Sequence, residues 1–277
     1  MSGFNTFHAL AEDDTESWPR TQIEAGFERM GTCDNPIPNA LHSSPDTGER
    51  KCVLLTTGAM NPIHRGHVEM LVHARKTLEE RYGFRVLAGF LSPSHDLYVG
   101  PKASSSGTAF AEARHRVEMA RSAAVEHDWI EVATWEARQS GRWPDYPEVV
   151  DALERFLRER YGGRGDDVCV LYVCGSDHLR YCGQGFGHPR QGLIAVPRSG
   201  QECPEDQPSR LVFSTPPLAC IREFSSTAAR SALGSGSHSQ LFEASRMLGK
   251  DVLSYILKHQ LYGTTFSESE SIGLENE

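Results

Sequence analysis

Two histidines three residues apart, His64 and His67, are the strongest candidates for chemistry in this sequence. They end the stretch GAMNPIHRGH at residues 58–67. Residues at this spacing share one face of a helix, so both rings could contact neighbouring oxygens of one ligand. Such a pair could stabilise charge on a transferring phosphoryl or nucleotidyl group. Histidine pairs also occur as zinc ligands and as ordinary surface or packing residues.

The elements predicted around the pair favour a phosphate ligand. An apolar, β-favouring run at 53–55 precedes it, and apolar residues at helical spacing follow it to about Tyr82. The start of a helix presents unpaired N–H groups and a partial positive charge, and Gly58 and Gly66 let a phosphate approach the backbone. A strand, a glycine turn and a helix start are therefore expected to bind a polyphosphate.

Composition narrows the class of protein. The chain has 277 residues, of which 39% are hydrophobic, which is enough for one large α/β domain. Its formal net charge of -9 argues against broad binding to nucleic acid. No apolar run approaches the roughly 18 to 20 residues of a membrane helix, and the N-terminus lacks the features of a signal peptide. We expect an intracellular protein, cytoplasmic or nuclear, that binds neither nucleic acid nor membranes.

The seven cysteines are odd in number, scattered, and include no CxxC pair. Neither a disulfide framework nor a zinc ribbon is predicted from this pattern. Cys169 and Cys174 lie in an apolar run and are expected to be buried free thiols.

Predicted strands and helices alternate along the chain, as in an α/β fold with a doubly wound parallel sheet and ligand loops at the carboxyl ends of its strands. The predicted strands are 53–55, 86–91, 130–133, 168–174, 193–196 and a weak one at 218–221. Helices are predicted at about 67–82, 109–126, 146–161 and 252–261, with a loop at 100–107. Residues 1–50 are expected to be a mobile leader, 51–263 the folded domain, and 264–277 a disordered acidic tail.

Residues 58–67 resemble the GxxxPxHxGH signature of the HxGH nucleotidyltransferase superfamily. Its second signature, a Ser-Ser-Thr run followed by Arg, is matched by FSSTAAR at 224–230. Further segments are similar to those of nicotinamide/nicotinate mononucleotide adenylyltransferases, especially the eukaryotic form: 91–98, 114–120, 129–136, 174–177, 196–200 and 255–262. The resemblance covers about 51–262 and implies a Rossmann-like nucleotidyltransferase fold.

This resemblance implies adenylyl transfer from ATP to nicotinamide mononucleotide (NMN) or nicotinate mononucleotide, forming NAD or deamido-NAD and pyrophosphate. The mononucleotide phosphate would attack the α-phosphorus of ATP directly, with Mg²⁺ held mainly by the ATP phosphates and no dedicated metal site. Two alternatives stay open. One is another HxGH transferase, acting on phosphopantetheine or using CTP; the other is a non-catalytic nucleotide-binding or chaperone-like module. A homo-oligomer is compatible with each.

The resemblance also assigns residues. Its implied catalytic residues are His64, His67 and Arg230. Its implied ATP-binding residues are Gly58, Ala59, His67, Gly175, Asp177, Ser225, Ser226, Thr227 and Arg230. Its implied mononucleotide-binding residues are Ala59, Met60, Lys102, Trp135, Glu136, Phe186 and Arg198, with Trp135 stacking on the pyridine ring.

Three of these positions depart from the family pattern. Ala59 replaces the usual serine of the glycine turn, and Lys102 stands where the family has a lysine-rich loop. Phe186 is the candidate for a second stacking aromatic residue, which is commonly Trp in the family. The departures concern the mononucleotide half of the site more than the ATP half.

Overall fold

The computed structural model describes residues 49–161, 167–182, 186, 188–218 and 224–267. The predicted leader up to residue 48 and the predicted tail from residue 268 lie outside these residues. In the described ranges, none of the helices has the length and apolar character needed to cross a membrane.

One parallel sheet dominates the fold. Its strands in the described part of the chain are β1 (Arg50–Gly58), β2 (Phe84–Pro93), β3 (Ile130–Val132), β4 (Val168–Gly175), β5 (Gln191–Val196) and β6 (Val212–Ser214). Their order is β3-β2-β1-β4-β5-β6, and each neighbouring pair is parallel. The order reverses between β1 and β4, which is the point where sheets of this kind bind ligands. The predicted doubly wound α/β fold is confirmed.

Helices cover both faces of this sheet. They are α1 (Arg65–Tyr82), α2 (Asp96–Ser105), α3 (Ala113–Ala124), α4 (Tyr146–Tyr161), α5 (Ser176–Cys182), α6 (Ser226–Leu233), α7 (His238–Leu248) and α8 (Lys250–Lys258). Short 3₁₀ turns occur at Glu136–Arg138, Pro208–Arg210 and Leu261–Gly263. The predicted helix at 146–161 matches α4, and α1 begins close to its predicted start.

The alternation of side chains along β1 creates two cores. Cys52 and Leu54 face a cluster that includes apolar residues of α1, α3, α6, α7 and α8. Val53 and Leu55 face the opposite cluster, which includes the apolar face of α4. All four residues are fully buried. Because β1 is buried on both faces, the helices that pack on either side hold its carboxyl end in a fixed position.

The predicted loop at 100–107 is wrong, because α2 runs through most of it. His95 caps this helix by accepting a hydrogen bond at Nδ1 from the Leu97 N–H, at 3.0 Å. Val99 and Ala103, four residues apart, are buried on one face of the helix. Packing of this face and the cap outweigh the helix-disfavouring effect of Pro101 inside the helix.

Other elements were also not predicted from local patterns, among them α5, β6 and α7. Strand β6 has only three residues and pairs with β5, and α7 follows α6 after a short turn. The strand expected at 218–221 is reduced in the described residues to one bridge between Leu218 and Arg198, and residues 219–221 lie outside them. Ordered packing also continues past the predicted domain boundary at 263, since Phe266 is 5% exposed and its ring lies 5.0 Å from that of His238.

Arg116 on α3 is the largest fully buried side chain in the described structure. Its guanidinium donates to the Ala59 carbonyl at 2.8 Å, to the Ala111 carbonyl at 2.9 Å and to the Asp96 carboxylate at 2.6 Å. Asp96 in turn accepts from the Ala113 N–H at the start of α3. One buried cation thus connects the turn after β1 with the starts of α2 and α3.

Replacing Arg116 by Ala should lower the free energy of unfolding by about 3 kcal/mol, since it leaves buried carbonyl oxygens and a partly buried carboxylate without their donor. Urea denaturation measures this loss. The matched control is Arg114→Ala, two residues away, because that side chain is half exposed and pairs with an equally exposed Glu112. Its effect should stay within about 0.5 kcal/mol. Equal losses in the two variants would contradict the role given to Arg116.

Candidate active site

A cavity of about 510 Å³ opens at the carboxyl ends of β1 and β4. Among the residues assigned from the sequence, those that line it are Gly58, Ala59, His64, His67, Lys102, Glu136, Gly175, Asp177 and Arg198. Those that do not line it are Met60, Trp135, Phe186, Ser225, Ser226, Thr227 and Arg230. The cavity therefore brings together residues from opposite halves of the sheet, as the switch in strand order predicts.

The histidine pair lies at the start of α1. His64 is the extended residue that precedes the helix, and His67 is in its first turn. Their ring centroids are 3.9 Å apart with the rings tilted by 40°. Nδ1 of His67 lies 3.2 Å from the backbone nitrogen of His64 and 3.3 Å from its carbonyl oxygen. When Nδ1 accepts from the His64 N–H, the ring hydrogen is on Nε2, where it can be donated to a ligand.

Both histidines are neutral in the free site. Burial, followed by the charges of His67 and Arg198, lowers the pKa of His64 to about 2. Burial also lowers the pKa of His67 to about 4, against the opposing effect of its hydrogen bond to the His64 backbone. Within the residues that the structure describes, Nδ1 of His64 is buried without a hydrogen-bond partner. A polyanion beside these rings would offer them acceptors and would favour their protonation.

Asn61 fastens the turn between β1 and α1 to the segment before α3. Its side chain donates to the Ala109 carbonyl at 2.9 Å and accepts from the Ala111 N–H at 3.0 Å. The adjacent Met60 has a left-handed backbone with φ of 44°, and its side chain is 1% exposed in the core. Met60 thus shapes the turn, while its side chain is buried away from the cavity that it was expected to serve.

The Ser-Ser-Thr segment packs against the same turn. Ser225 caps α6 by accepting from the Ala228 N–H at 3.0 Å, as a serine at that position predicts. Ser226 Oγ donates to the Pro62 carbonyl at 2.8 Å, and Arg230 donates to the Asn61 carbonyl. Both signatures found in the sequence are therefore in direct contact, although they are more than 160 positions apart.

Arg230 has further capacity to bind. Its second terminal nitrogen lies 3.2 Å from Oγ1 of Thr227, which is exposed. Its Nε is buried and has no hydrogen-bond partner among the described residues. Burial lowers the pKa of this guanidinium, which remains a cation at neutral pH. Residues 225–230 lie beside the histidine turn and outside the cavity wall.

Glu136 places a buried carboxyl group in the cavity wall. It is 4% exposed and accepts a hydrogen bond from Ser92 Oγ at 2.7 Å. Burial raises its pKa to about 7, against the opposing effects of Ser92, Ser94 and Arg116. Its neighbour Trp135 is half-buried and packs against the core cluster that contains Val53 and Leu55. Glu136 therefore lines the cavity, whereas Trp135 does not.

Four aromatic side chains of the cavity wall were missed from the sequence, and two of them form a pair at its exposed side. Tyr98 and Trp143 both line the cavity, and their ring centroids lie 5.1 Å apart. Nζ of Lys102 is 5.5 Å from the centre of the Tyr98 ring. Trp143 is 43% exposed in a segment of turn-forming residues, where no periodic pattern marks it. A large aromatic residue in such a segment was the available signal.

Phe186 lies behind the wall and not in it. Its ring packs edge-on against Tyr146 and Tyr172, at centroid distances of 5.9 and 6.4 Å. Tyr146 and Tyr172 line the cavity and stack on each other at 4.9 Å. The described part of the chain has no group of three or more His, Cys, Asp or Glu side chains that could hold a metal ion.

Two relatives of known name are similar to this chain in sequence. A relative from Arabidopsis thaliana, named nicotinamide/nicotinic acid mononucleotide adenylyltransferase, is 29% identical over 255 residues, covering 83% of this chain and 98% of that protein. A Xenopus tropicalis relative, nicotinamide/nicotinic acid mononucleotide adenylyltransferase 2, is 35% identical over 126 residues, which are 46% of this chain and 36% of that protein.

Solved structures support the fold. The nicotinic acid mononucleotide adenylyltransferase of Plasmodium falciparum, complexed with APC, has a TM-score of 0.51 at 14% identity, covering 78% of this chain and 98% of that one. The model of the cytidylyltransferase-like family matches residues 55–232, which include both signature segments. The two signatures, their contact across the turn and the extent of this match show that the chain belongs to the cytidylyltransferase-like family of nucleotidyltransferases.

Proposed function

We propose that this protein transfers the adenylyl group of ATP to NMN or nicotinate mononucleotide, forming NAD or deamido-NAD and pyrophosphate. The observation that carries the proposal is the pair of histidines that line the cavity at the start of α1. The relative from Arabidopsis thaliana, which bears this activity in its name, matches along 83% of the chain.

The arrangement suits direct displacement at phosphorus. The attacking 5′-phosphate is already an anion, so the site needs no base to activate it. Holding the two substrates in line can lower the barrier by about 7 to 11 kcal/mol. His64, His67 and the start of α1 would stabilise the charge that develops on the phosphates of ATP. Lys102 and Arg198, which line the cavity, would offset the charge of a substrate entering an acidic protein.

ATP would enter as its magnesium complex. Mg²⁺ usually keeps several waters and binds phosphate oxygens with few protein ligands, which suits a cavity whose carboxylates are dispersed. Asp177 and the adjacent Gly175 would accept the ribose and adenine end of ATP. Arg230, Ser225, Ser226 and Thr227 would complete the phosphate site from beside the turn, and the unpartnered Nε of Arg230 supports this assignment. The intracellular location and a homo-oligomer remain predictions.

The direct test is a coupled assay of NAD formation on the purified protein, with MgATP and each mononucleotide in turn. Turnover is expected with ATP and not with CTP. A protein that uses CTP would belong to another branch of the family, and a protein inactive with both mononucleotides and both nucleotides would favour a non-catalytic module.

His67→Ala should lower kcat by about 100-fold or more, because it removes a donor to charge that develops in the transition state. The assay of NAD formation measures this loss, and circular dichroism shows whether the fold is kept. His73→Ala is the matched control, since His73 lies on the same helix but bonds the Pro216 carbonyl and lies outside the cavity wall. Unchanged turnover in His67→Ala would remove this ring from the mechanism.

Glu136→Gln should change how stability depends on pH. The carboxyl pKa is about 7 in the folded protein and near 4.3 in an unfolded chain, so the folded state binds the proton more tightly between these values. Its contribution to stability is complete below pH 4 and is lost as pH rises through 7. The variant should match the parent at pH 4.5 and exceed its unfolding free energy by up to about 3 kcal/mol at pH 8.

Urea denaturation at both pH values measures this difference, with the exposed Glu126→Gln as the control for removing one carboxylate. A constant difference between parent and Glu136→Gln across this range would show that the buried carboxyl group does not titrate as described.

Trp143→Ala should raise the KM for the mononucleotide about tenfold, because Trp143 and Tyr98 provide the exposed aromatic wall on which a pyridine ring can stack. The KM for ATP should change much less. The same measurement on Trp135→Ala tests the residue that the family resemblance assigned. A larger KM effect at Trp135 would mean that this side chain turns into the cavity when the mononucleotide binds.

A further inference from the structure

One glutamine side chain connects two chain segments that follow neighbouring strands of the sheet. Oε1 of Gln201 accepts a hydrogen bond from Oγ of Ser176 at 2.7 Å and another from the backbone N–H of Arg198 at 2.9 Å. Ser176 begins α5 directly after β4, and Arg198 lies two residues beyond the end of β5. Gln201 itself is half-buried and does not line the cavity. Any effect of this residue on the site must therefore act through its two partners.

The contact with Ser176 lies where the pairing of β4 and β5 ends. The last pair in the register of these strands joins Gly175 to Val196. Beyond it, α5 begins on one side and a turn at 198–201 follows on the other. The bond between Ser176 and Gln201 joins the two segments one residue past that last pair. It takes the place of a ladder hydrogen bond at the point where the two strands separate.

The local sequence places the glutamine beside both partners. Residues 198–201 form a turn in which the Gln201 N–H donates to the Arg198 carbonyl at 2.9 Å. Gly200, the third residue of this turn, has a φ of 86°, as a type II turn requires at that position. Together with the side-chain contact, this turn bonds both the N–H and the carbonyl of Arg198 to one residue. The backbone of Arg198 is thereby held in place from both of its polar groups.

Residues on both sides of this connection line the cavity. Gly175 and Asp177, which flank Ser176, lie on one side, and Val196 and Arg198 lie on the other. Arg198 brings a positive charge to this wall, and that charge contributes to the lowered pKa of both candidate histidines. A change in the spacing of the two strand ends would therefore move two parts of the cavity wall relative to each other.

We propose that Gln201 is a positioning residue for nucleotide binding, which holds Asp177 and Arg198 at the spacing that ATP requires. Its amide oxygen acts through Ser176 and the Arg198 backbone and touches no substrate. The inference rests on the proposed function for the identity of the ligand, MgATP. Without this acceptor the two segments would move independently, and only a fraction of the molecules would have the arrangement that binds ATP. The apparent affinity falls in proportion to that fraction.

The test measures binding of MgATP to the full-length protein by isothermal titration calorimetry. Gln201→Ala should raise the Kd about tenfold, which corresponds to a binding-competent fraction of about one tenth. In the assay of NAD formation, the KM for ATP should rise while kcat changes much less. A variant that was merely less folded would instead show a lower kcat at an unchanged KM, because fewer molecules would be active. The split between KM and kcat thus separates positioning from general stability.

Glu202→Ala is the matched control, since Glu202 is the next residue of the same segment, is exposed and lies outside the cavity wall. Its Kd for MgATP should stay close to that of the parent. A tenfold loss in Glu202→Ala as well would overturn the proposal, because the effect would then belong to the whole segment and not to the Gln201 side chain.

Variants of Ser176 test the connection from its other end. Ser176→Ala removes one of the two contacts and should raise the Kd about threefold, whereas Ser176→Thr keeps the hydroxyl donor and should match the parent. Adding Ser176→Ala to Gln201→Ala should cause no further loss, because the bond between the two residues is already absent. Independent, multiplying losses in the double variant would overturn the proposal. If Gln201→Ala does not fold, equal Kd values for Ser176→Ala and Ser176→Thr would overturn it.

The two proposals fail in different ways. A parent that binds MgATP, with the expected loss in Gln201→Ala, but makes no NAD would refute the proposed function alone. A parent that makes NAD while its Kd for MgATP is unchanged in Gln201→Ala would refute the positioning role alone. A parent that neither binds MgATP nor makes NAD would refute both.

Discussion

The site depends on two guanidinium groups that bind backbone carbonyls of one turn. Arg116 donates to the carbonyl of Ala59, and Arg230 donates to that of Asn61. These carbonyls belong to the turn that connects β1 to the two histidines. A buried carbonyl oxygen without a hydrogen-bond donor destabilises the folded state. Each guanidinium contact supplies such a donor to a turn whose backbone makes no regular hydrogen bonds. The positions of His64 and His67 therefore follow from cations on two distant helices as much as from the strand that precedes them.

Burial then sets the charge states within this frame. The two imidazoles are kept neutral and the carboxyl of Glu136 is kept close to its midpoint at neutral pH, all mainly because water is excluded. Arg198 is a fixed positive charge that acts on both rings and also disfavours their protonation. The substrate phosphates would bring negative charge into the cavity. The low dielectric constant around the buried rings would strengthen each hydrogen bond that these phosphates accept. The preorganised site is thus poised for an anionic ligand without the cost of confining several cations together.

The sequence allowed much of the fold to be predicted, because strands that are buried on both faces leave continuous apolar runs. The strand at 168–174 is an example. The helix at 146–161 was found from a different signal, the helical spacing of its apolar residues. The signature at 58–67 was found because its glycines, proline and histidines form a recognisable pattern within a short stretch of sequence. Helix α2 was missed because its cap at His95 and its buried face depend on tertiary packing. Arg116 and Trp143 were missed as site components for a similar reason: neither is distinguished from a surface residue by local pattern, and only the assembled fold shows one fully buried and the other at the cavity.

The contact between Ser226 and the Pro62 carbonyl has a consequence for how the protein is made. A chain emerging from the ribosome contains the entire histidine signature long before the segment that fastens it has been synthesised. Contacts of such large sequence separation are slow to form, because a long loop must close before they can stabilise anything. Fragments that end before residue 224 would carry both histidines but lack the donors of Ser226 and Arg230. Competence to bind nucleotide would then appear late in folding, after nearly all of the domain has left the ribosome.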